Sequence, residues 1–190
     1  MQSLSIIIPA YNEESRILAT LNRIHTYLTN RQYEYEILVV DDGSRDRTVE
    51  LVKRQGYARV LQNPKNKGKG YSVKCGMLVA KNDWILFTDA DLSTPIEELD
   101  TFEQYTKECD ILIGSRGLAQ SNVKIPQPFY REIPGKIFGK MVQLICLKGI
   151  TDSQCGFKLF SRESAKKIFS KQTVDRFGFD VEILYLARKY

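Results

Sequence analysis

The sequence predicts an α/β protein, a mainly parallel sheet flanked by helices on both faces. Three observations predict it. Short runs rich in Ile, Leu and Val recur at Leu4–Pro9, Tyr35–Val40 and Trp84–Thr88, as expected of strands buried on both faces. Each run breaks into polar residues and then a helix-like pattern, the alternation that right-handed crossovers turn into a parallel sheet. Each run also ends in acids, at Glu13, at Asp41 and Asp42, and at Asp89 and Asp91.

Taken in order, the first strand leads into a helix near Ser15–Thr29, with Ile17, Leu18, Leu21, Ile24 and Leu28 on one broad face. The second leads into a helix near Asp46–Gln55, with Asp46 or Ser44 as its cap. Arg59–Leu61 reads as a short strand, Gly68–Ala80 as a helix and Trp84–Thr88 as a strand. Thr94-Pro95 opens another helix, Thr as N-cap and Pro in the first turn. Asp110–Ser115 is one more strand. Gly117, Pro126 and Pro128 then mark a long irregular loop over residues 117–130. Gly135–Leu147 returns to a helical pattern with a wide apolar face, and the chain stops at Tyr190 inside an apparent helix.

Ligands of open α/β sheets bind beyond the carboxyl ends of the strands. Three strand ends therefore bring Tyr11, Glu13, Asp41, Asp42, Asp89 and Asp91 to one rim. Two acids one residue apart repel each other unless a cation sits between them. Asp89 and Asp91 thus read as ligands of a divalent metal, Mg2+ or Mn2+, that holds a diphosphate. Asn66-Lys-Gly-Lys-Gly70 precedes a helix. Its glycines permit close backbone approach, the helix N-terminus favours phosphate, and Lys67 and Lys69 add charge. Arg116 closes the strand after the metal motif and suits either a surface ion pair or an anion. Arg131 follows the long loop, and two guanidinium groups grip phosphate bidentately.

At 190 residues the chain suits one domain with a sizeable core. No apolar run approaches a membrane span, and the N-terminus enters a strand directly, so no signal peptide is expected. Cys75, Cys109, Cys146 and Cys155 lack metal-ligand spacing and read as buried thiols in a reducing compartment. His25 is the only histidine, which argues against a Ser-His-Asp triad. The net charge of +5 is unevenly spread. Residues 1–119 hold 15 basic and 17 acidic groups, and residues 120–190 hold 13 and 6. The basic part suits an anionic acceptor or a membrane surface. Nucleic acid is not expected, because no binding motif accompanies the charge. A dinucleotide oxidoreductase is disfavoured, since no Gly-x-Gly-x-x-Gly follows the first strand.

Pro9-Ala-Tyr-Asn-Glu13, Val39-Val-Asp-Asp-Gly-Ser44, Asn66-Lys-Gly-Lys-Gly70 and Thr88-Asp-Ala-Asp-Leu92 resemble the family 2 inverting glycosyltransferases. Thr151–Phe160 and Arg176–Glu182 resemble, more narrowly, the branch that makes polyprenyl-phosphate sugars, its glucosyl members above all. The resemblance implies a GT-A fold in one domain. Residues 1–116 would bind nucleotide sugar and metal, and residues 117–190 the acceptor. It implies that the nucleotide, UDP-hexose before GDP-mannose, lies across Pro9, Tyr11, Glu13, Asp41, Asp42 and Lys69. It implies that Arg116 and Arg131 hold the phosphate of a polyprenyl or dolichyl acceptor. The reaction would be inverting displacement at the anomeric carbon by a phosphate, on a cytoplasmic protein peripheral to the membrane face.

The alternative acceptor is a sugar hydroxyl, which would need a general base. Asp152 offers a carboxylate for that role, but the lipid-phosphate branch carries an Asp there too, so a structural or acceptor-loop role is the reading taken. Ser93 stands where mannosyl members often have Gln, which leaves a third protein ligand to water. Members of the branch usually continue past the point corresponding to Tyr190, some into membrane helices, so a C-terminal truncation is expected.

Overall fold

The computed structural model describes residues 1–115 and 152–190. Arg116, Arg131, Cys146, the expected loop over 117–130 and the expected helix Gly135–Leu147 lie outside the described residues. Elements are numbered over the described residues.

The strands are β1 (Ser3–Ala10), β2 (Glu34–Asp41), β3 (Ala58–Gln62), β4 (Trp84–Thr88), β5 (Ile111–Ile113) and β6 (Phe157–Ser161). The helices are α1 (Ile17–Thr29), α2 (Thr48–Lys53), α3 (Lys69–Val79), α4 (Leu99–Glu103, after a 3-10 turn at Ile96–Glu98), α5 (Arg162–Phe169) and α6 (Phe179–Lys189). Among the described residues the strands form one sheet in the order β3-β2-β1-β4-β6-β5. The pairs β1–β2, β1–β4 and β2–β3 are parallel. β6 runs antiparallel to both β4 and β5 and stands between them. Five strands therefore point one way, as the alternation predicts, and the sixth is an inserted exception. The strand at Phe157–Ser161 was not expected from the sequence.

Period-2 alternation sorts the strand residues into two apolar layers. Leu4, Ile6, Ile8, Ile37, Val39, Leu86, Phe157 and Leu159 meet α1 and α4 through Ile17, Leu21, Ile24 and Leu99. Ile7, Leu38, Val40, Ile85, Phe87 and Phe160 meet α3, α5 and α6 through Val73, Met77, Phe169, Phe179 and Ile183. Ile6, Ile7 and Ile8 are all fully buried, and each stabilises the fold by roughly 1.5–3 kcal/mol of transfer free energy. The two layers hold the strands' carboxyl ends at one edge, where the acids gather.

Four local expectations need correction. The helix expected over Asp46–Gln55 spans only Thr48–Lys53. Asp46 still works at its start, since Asp46 Oδ1 accepts the Thr48 N–H at 3.0 Å. Thr94 is not an N-cap: the 3-10 turn starts after an extended Pro95, without a side-chain cap, and the Thr94 hydroxyl lies 3.6 Å from Cys155 Sγ. The strand expected over Asp110–Ser115 is shorter, Ile111–Ile113. Of the cysteines, only Cys155 is buried among the described residues, while Cys75 is half-buried and Cys109 exposed. His25 sits in α1, stacked on Tyr57 at 3.8 Å between ring centroids. No described helix is long and apolar enough to cross a membrane.

Candidate active site

The acidic edge borders a cavity of about 430 Å³. Pro9, Tyr11 and Glu13 reach it from the end of β1, Asp42 from the end of β2, Lys69 from the start of α3, and Asp89 and Asp91 from the end of β4. Seven of the predicted site residues thus converge. Asp41 does not line the cavity. It is buried, and its carboxylate folds its own turn by accepting the N–H groups of Gly43 at 3.1 Å and Ser44 at 3.2 Å.

Each side chain is placed by a neighbouring strand end. Asn12 takes a positive φ of 55°, a conformation its short amide tolerates. Its N–H donates to Ser44 Oγ and its Oδ1 accepts the Arg45 N–H, both at 2.9 Å. The Glu13 N–H donates to Thr48 Oγ1 at 2.8 Å. These bonds lace the β1–α1 turn to the β2–α2 turn and aim Glu13 into the cavity. Its Oε2 lies 2.6 Å from Arg16 Nε. Burial, opposed by Arg16 and reinforced by Asp91, Asp46 and Asp89, raises the Glu13 carboxyl above its ordinary value. Burial is the larger effect, and the neighbouring carboxylates add to it.

Asp42 is buried and fully engaged. Its Oδ1 accepts Asn63 Nδ2 and the Lys67 N–H, both at 2.9 Å, and its Oδ2 accepts the Gly68 N–H at 2.8 Å. The anion at the head of α3 is thus the protein's own carboxylate. Asn66, Gly68 and Lys69 of the Asn66–Gly70 motif still line the cavity. The glycines do permit a close backbone approach, but by residues 174–176. A Cβ on Gly68 (φ 109°) would lie 2.9 Å from Arg176 Cγ, and one on Gly70 would lie 2.7 Å from both Phe179 Cβ and the Val174 carbonyl oxygen. The Tyr71 N–H donates to the Asp175 carbonyl at 2.9 Å and seals that contact. Lys69 still faces the cavity, with its Nζ 2.6 Å from Asp89 Oδ1.

At the end of β4, Asp89 is half-buried and Asp91 exposed. Asp91 Oδ1 accepts the Ser93 N–H at 2.9 Å. Leu92 is held at a positive φ of 47°, a conformation that costs about 1–3 kcal/mol at a non-glycine residue and clusters at functional sites. The Thr20 hydroxyl fixes the turn through the Ala90 carbonyl at 2.5 Å.

Arg16, Ser72, Arg176 and Phe177 also line the cavity, without having been assigned from the sequence, while Asn66 belongs to the expected phosphate-binding motif. The Arg176–Glu182 motif was the signal for Arg176 and Phe177. Phe177 is 76% exposed at the rim. Asp152 is half-buried and does not line the cavity. Beneath the site, Lys158 and Asp180 form a buried ion pair at 2.5 Å. Burial raises the Asp180 carboxyl above its ordinary value even against the attraction of Lys158.

A family model, Glycosyl transferase family 2, matches residues 5–169. The chain belongs to that family. Among curated relatives of this family 2 domain, the dolichyl-phosphate beta-glucosyltransferase of Dictyostelium discoideum is 38% identical over 98% of this chain and 62% of the relative. The Drosophila melanogaster protein of that name is 39% identical over 97% and 62%, and the Homo sapiens one 35% over 98% and 63%. The chain thus spans about 62% of the first relative's length. Among solved structures, glucosyl-3-phosphoglycerate synthase from Mycobacterium tuberculosis in complex with Mn2+, UDP-glucose and phosphoglyceric acid superposes with a TM-score of 0.71 at 21% identity, covering 96% of this chain and 64% of that one. The same enzyme in complex with UDP gives a TM-score of 0.70 at 20% identity, again over 96% and 64%. The fold of this family 2 domain is GT-A.

Proposed function

We propose that this family 2 domain is the catalytic part of an enzyme that transfers glucose from UDP-glucose, with inversion, to a dolichyl or polyprenyl phosphate. The observation that carries the reading is the convergence of Glu13, Asp42, Lys69, Asp89 and Asp91 on one cavity at the sheet's carboxyl edge. Relatives that share more than a third of its residues are named for this transfer. Residues 1–116 are the donor part and residues 117–190 the acceptor part.

The residues present fit a divalent metal. Asp89 and Asp91 offer hard oxygen donors to the cavity, two residues apart at the end of β4. No cluster of three or more His, Cys, Asp or Glu that could hold a metal exists among the described residues. Mg2+ is commonly held by one or two carboxylates, with substrate phosphates and water completing the shell, and Mn2+ sites of this kind use the same oxygen ligands. When bound, the metal would neutralise the nucleoside diphosphate as it leaves. Lys69 lines the same cavity and supplies a cation for those phosphates. Pro9, Tyr11 and Glu13 border the nucleotide's place.

A phosphate acceptor is anionic near neutral pH and needs positioning and desolvation, not deprotonation. Arg116 and Arg131 are assigned to the acceptor phosphate on the sequence reading. The reading sets the protein peripherally at the cytoplasmic face of a membrane; the basic charge of residues 120–190 supports it.

A panel of nucleotide sugars, incubated with a short polyprenyl phosphate and Mg2+ or Mn2+, tests the reading. UDP-glucose should give a lipid-extractable phosphosugar. With a soluble glycan added as a second acceptor, a glycosylated glycan in place of the phosphosugar would establish the hydroxyl acceptor instead. Calorimetry with Mn2+ should show UDP bound more tightly than GDP, and the reverse would make the donor GDP-mannose.

A further inference from the structure

Two sequence motifs, Gln154–Phe160 and Arg176–Glu182, are left without a task by the cavity lining apart from Arg176 and Phe177. Their buried residues meet beneath Asp89. Lys158 stands on β6 opposite Phe87 of β4 and Ile113 of β5, so its side chain rises from mid-sheet and is fully buried. Its Nζ donates to Asp180 Oδ1 at 2.5 Å and to the Cys155 carbonyl at 2.6 Å. Asp180 lies in the first turn of α6, where the helix dipole favours a carboxylate.

The bond to Cys155 links this pair to the site. The next residue, Gly156, accepts the Asp89 N–H on its carbonyl at 3.2 Å. A Cβ on Gly156 would overlap the Asp89 carboxylate itself. Asp89 therefore leans directly on the Gly156 backbone, and Lys158 holds that backbone in place. The Phe87 ring fills the space between, 5.6 Å from Lys158 Nζ and 5.3 Å from Lys69 Nζ. It is packed edge-on against Phe179 at 5.9 Å.

Stability alone does not account for a charge pair at this depth. Apolar residues of similar volume usually replace a buried ion pair at no cost or with a gain. What apolar residues would not supply is the second bond, from Nζ to the Cys155 carbonyl.

We propose that Gly156, Lys158 and Asp180 are positioning residues that fix the Asp89 carboxylate for metal coordination. The proposal rests on the reading of Asp89 as a metal ligand. It gives both motifs one physical purpose, because the bond network that aims Asp89 draws one residue set from β6 and the loop before it and the other from α6.

The test is the factor by which Mn2+ tightens UDP binding, measured by calorimetry well below the melting temperature. A merely structural role would lower the melting temperature and leave this factor unchanged. Four variants are compared with wild type: Asp89→Asn, Gly156→Ala, the double variant Lys158→Met/Asp180→Leu, and Ile168→Val as a core control. Loss of an outer partner typically weakens metal binding about 10–100-fold. Gly156→Ala and the double variant should each reduce the Mn2+ factor by about tenfold or more. The double variant leaves no charge unpaired, so it should remain folded. Ile168→Val should change only the melting temperature. If Asp89→Asn abolishes the Mn2+ factor while folded Gly156→Ala and the double variant retain it, the positioning role is overturned and the metal assignment stands. If Asp89→Asn itself retains the factor, the metal assignment falls and the positioning role with it.

Discussion

Replacing Asp42 with Asn tests whether the head of α3 is held by the protein's own anion. The change keeps shape and removes charge. The Asp42 oxygens accept three donors, two on Oδ1 and one on Oδ2. An amide turned with its NH2 at the Oδ2 position opposes only the Gly68 N–H, and the other orientation opposes two donors. The cheaper orientation leaves one buried donor unmatched, at about 1–3 kcal/mol, and turns the two remaining charge-assisted bonds into neutral ones; together this costs about 2–4 kcal/mol. With a urea slope near 2 kcal/mol/M, the unfolding midpoint should fall by about 1–2 M. Glu50→Gln is the comparator. It breaks only the exposed Glu50–Arg54 pair and should move stability by no more than about 0.5 kcal/mol. If Asp42→Asn moved the midpoint no further than Glu50→Gln, the hydrogen bonds at the head of α3 would not be what holds that loop.

Asp91→Ala should abolish metal-dependent transfer and leave the melting temperature nearly unchanged, because Asp91 is exposed and bonds only the Ser93 N–H among its described hydrogen bonds; near-normal turnover would remove it from the metal site. Gly70→Ala should destabilise by about 1–3 kcal/mol through overpacking against Phe179 and the Val174 and Arg176 carbonyls, seen as a lower urea midpoint. Glu13 has a raised carboxyl, so the folded state binds more protons than the unfolded state just above the ordinary carboxylate value. Its contribution to stability is present below that value and is lost as pH rises through the raised one. The stability difference between Glu13→Gln and wild type should therefore grow in favour of the variant from pH 4.5 to pH 7, measured by chemical denaturation; a difference independent of pH would contradict the assignment.

β1, β2 and β4 were legible because each carries an apolar run closed by acids, a pattern set within a few residues. The convergence of Glu13, Asp42, Asp89 and Asp91 followed from that pattern and the rule for open sheets. What stayed hidden depends on partners distant in sequence. Asp41 and Asp42 read alike, yet one folds its own turn and the other caps residues 67 and 68, a difference set by where the chain returns. Gly68 and Gly70 were seen to allow close approach, but residues 174–176 could not be named as what approaches. Lys158, between Phe157 and Leu159, reads as the solvent side of an alternating strand. The hint against that was Phe160, two residues on and so on the same face, which demands a core beside the lysine.

The inserted strand β6 has a consequence for the order of assembly. β5 pairs only with β6 among the described strands, so during synthesis Ile111–Ile113 emerges before its neighbour exists. The first four strands can pair as soon as β4 is made, but the sheet then ends at β4 with its edge open. Joining β5 waits until Phe157–Ser161 slides between the two. The entropy of closing that intervening segment is offset by β6 pairing with β4 and β5 together. Whatever depends on that seam, including the backbone against which Asp89 rests, is completed last. A nascent chain would therefore hold a nearly whole sheet well before it held a working edge.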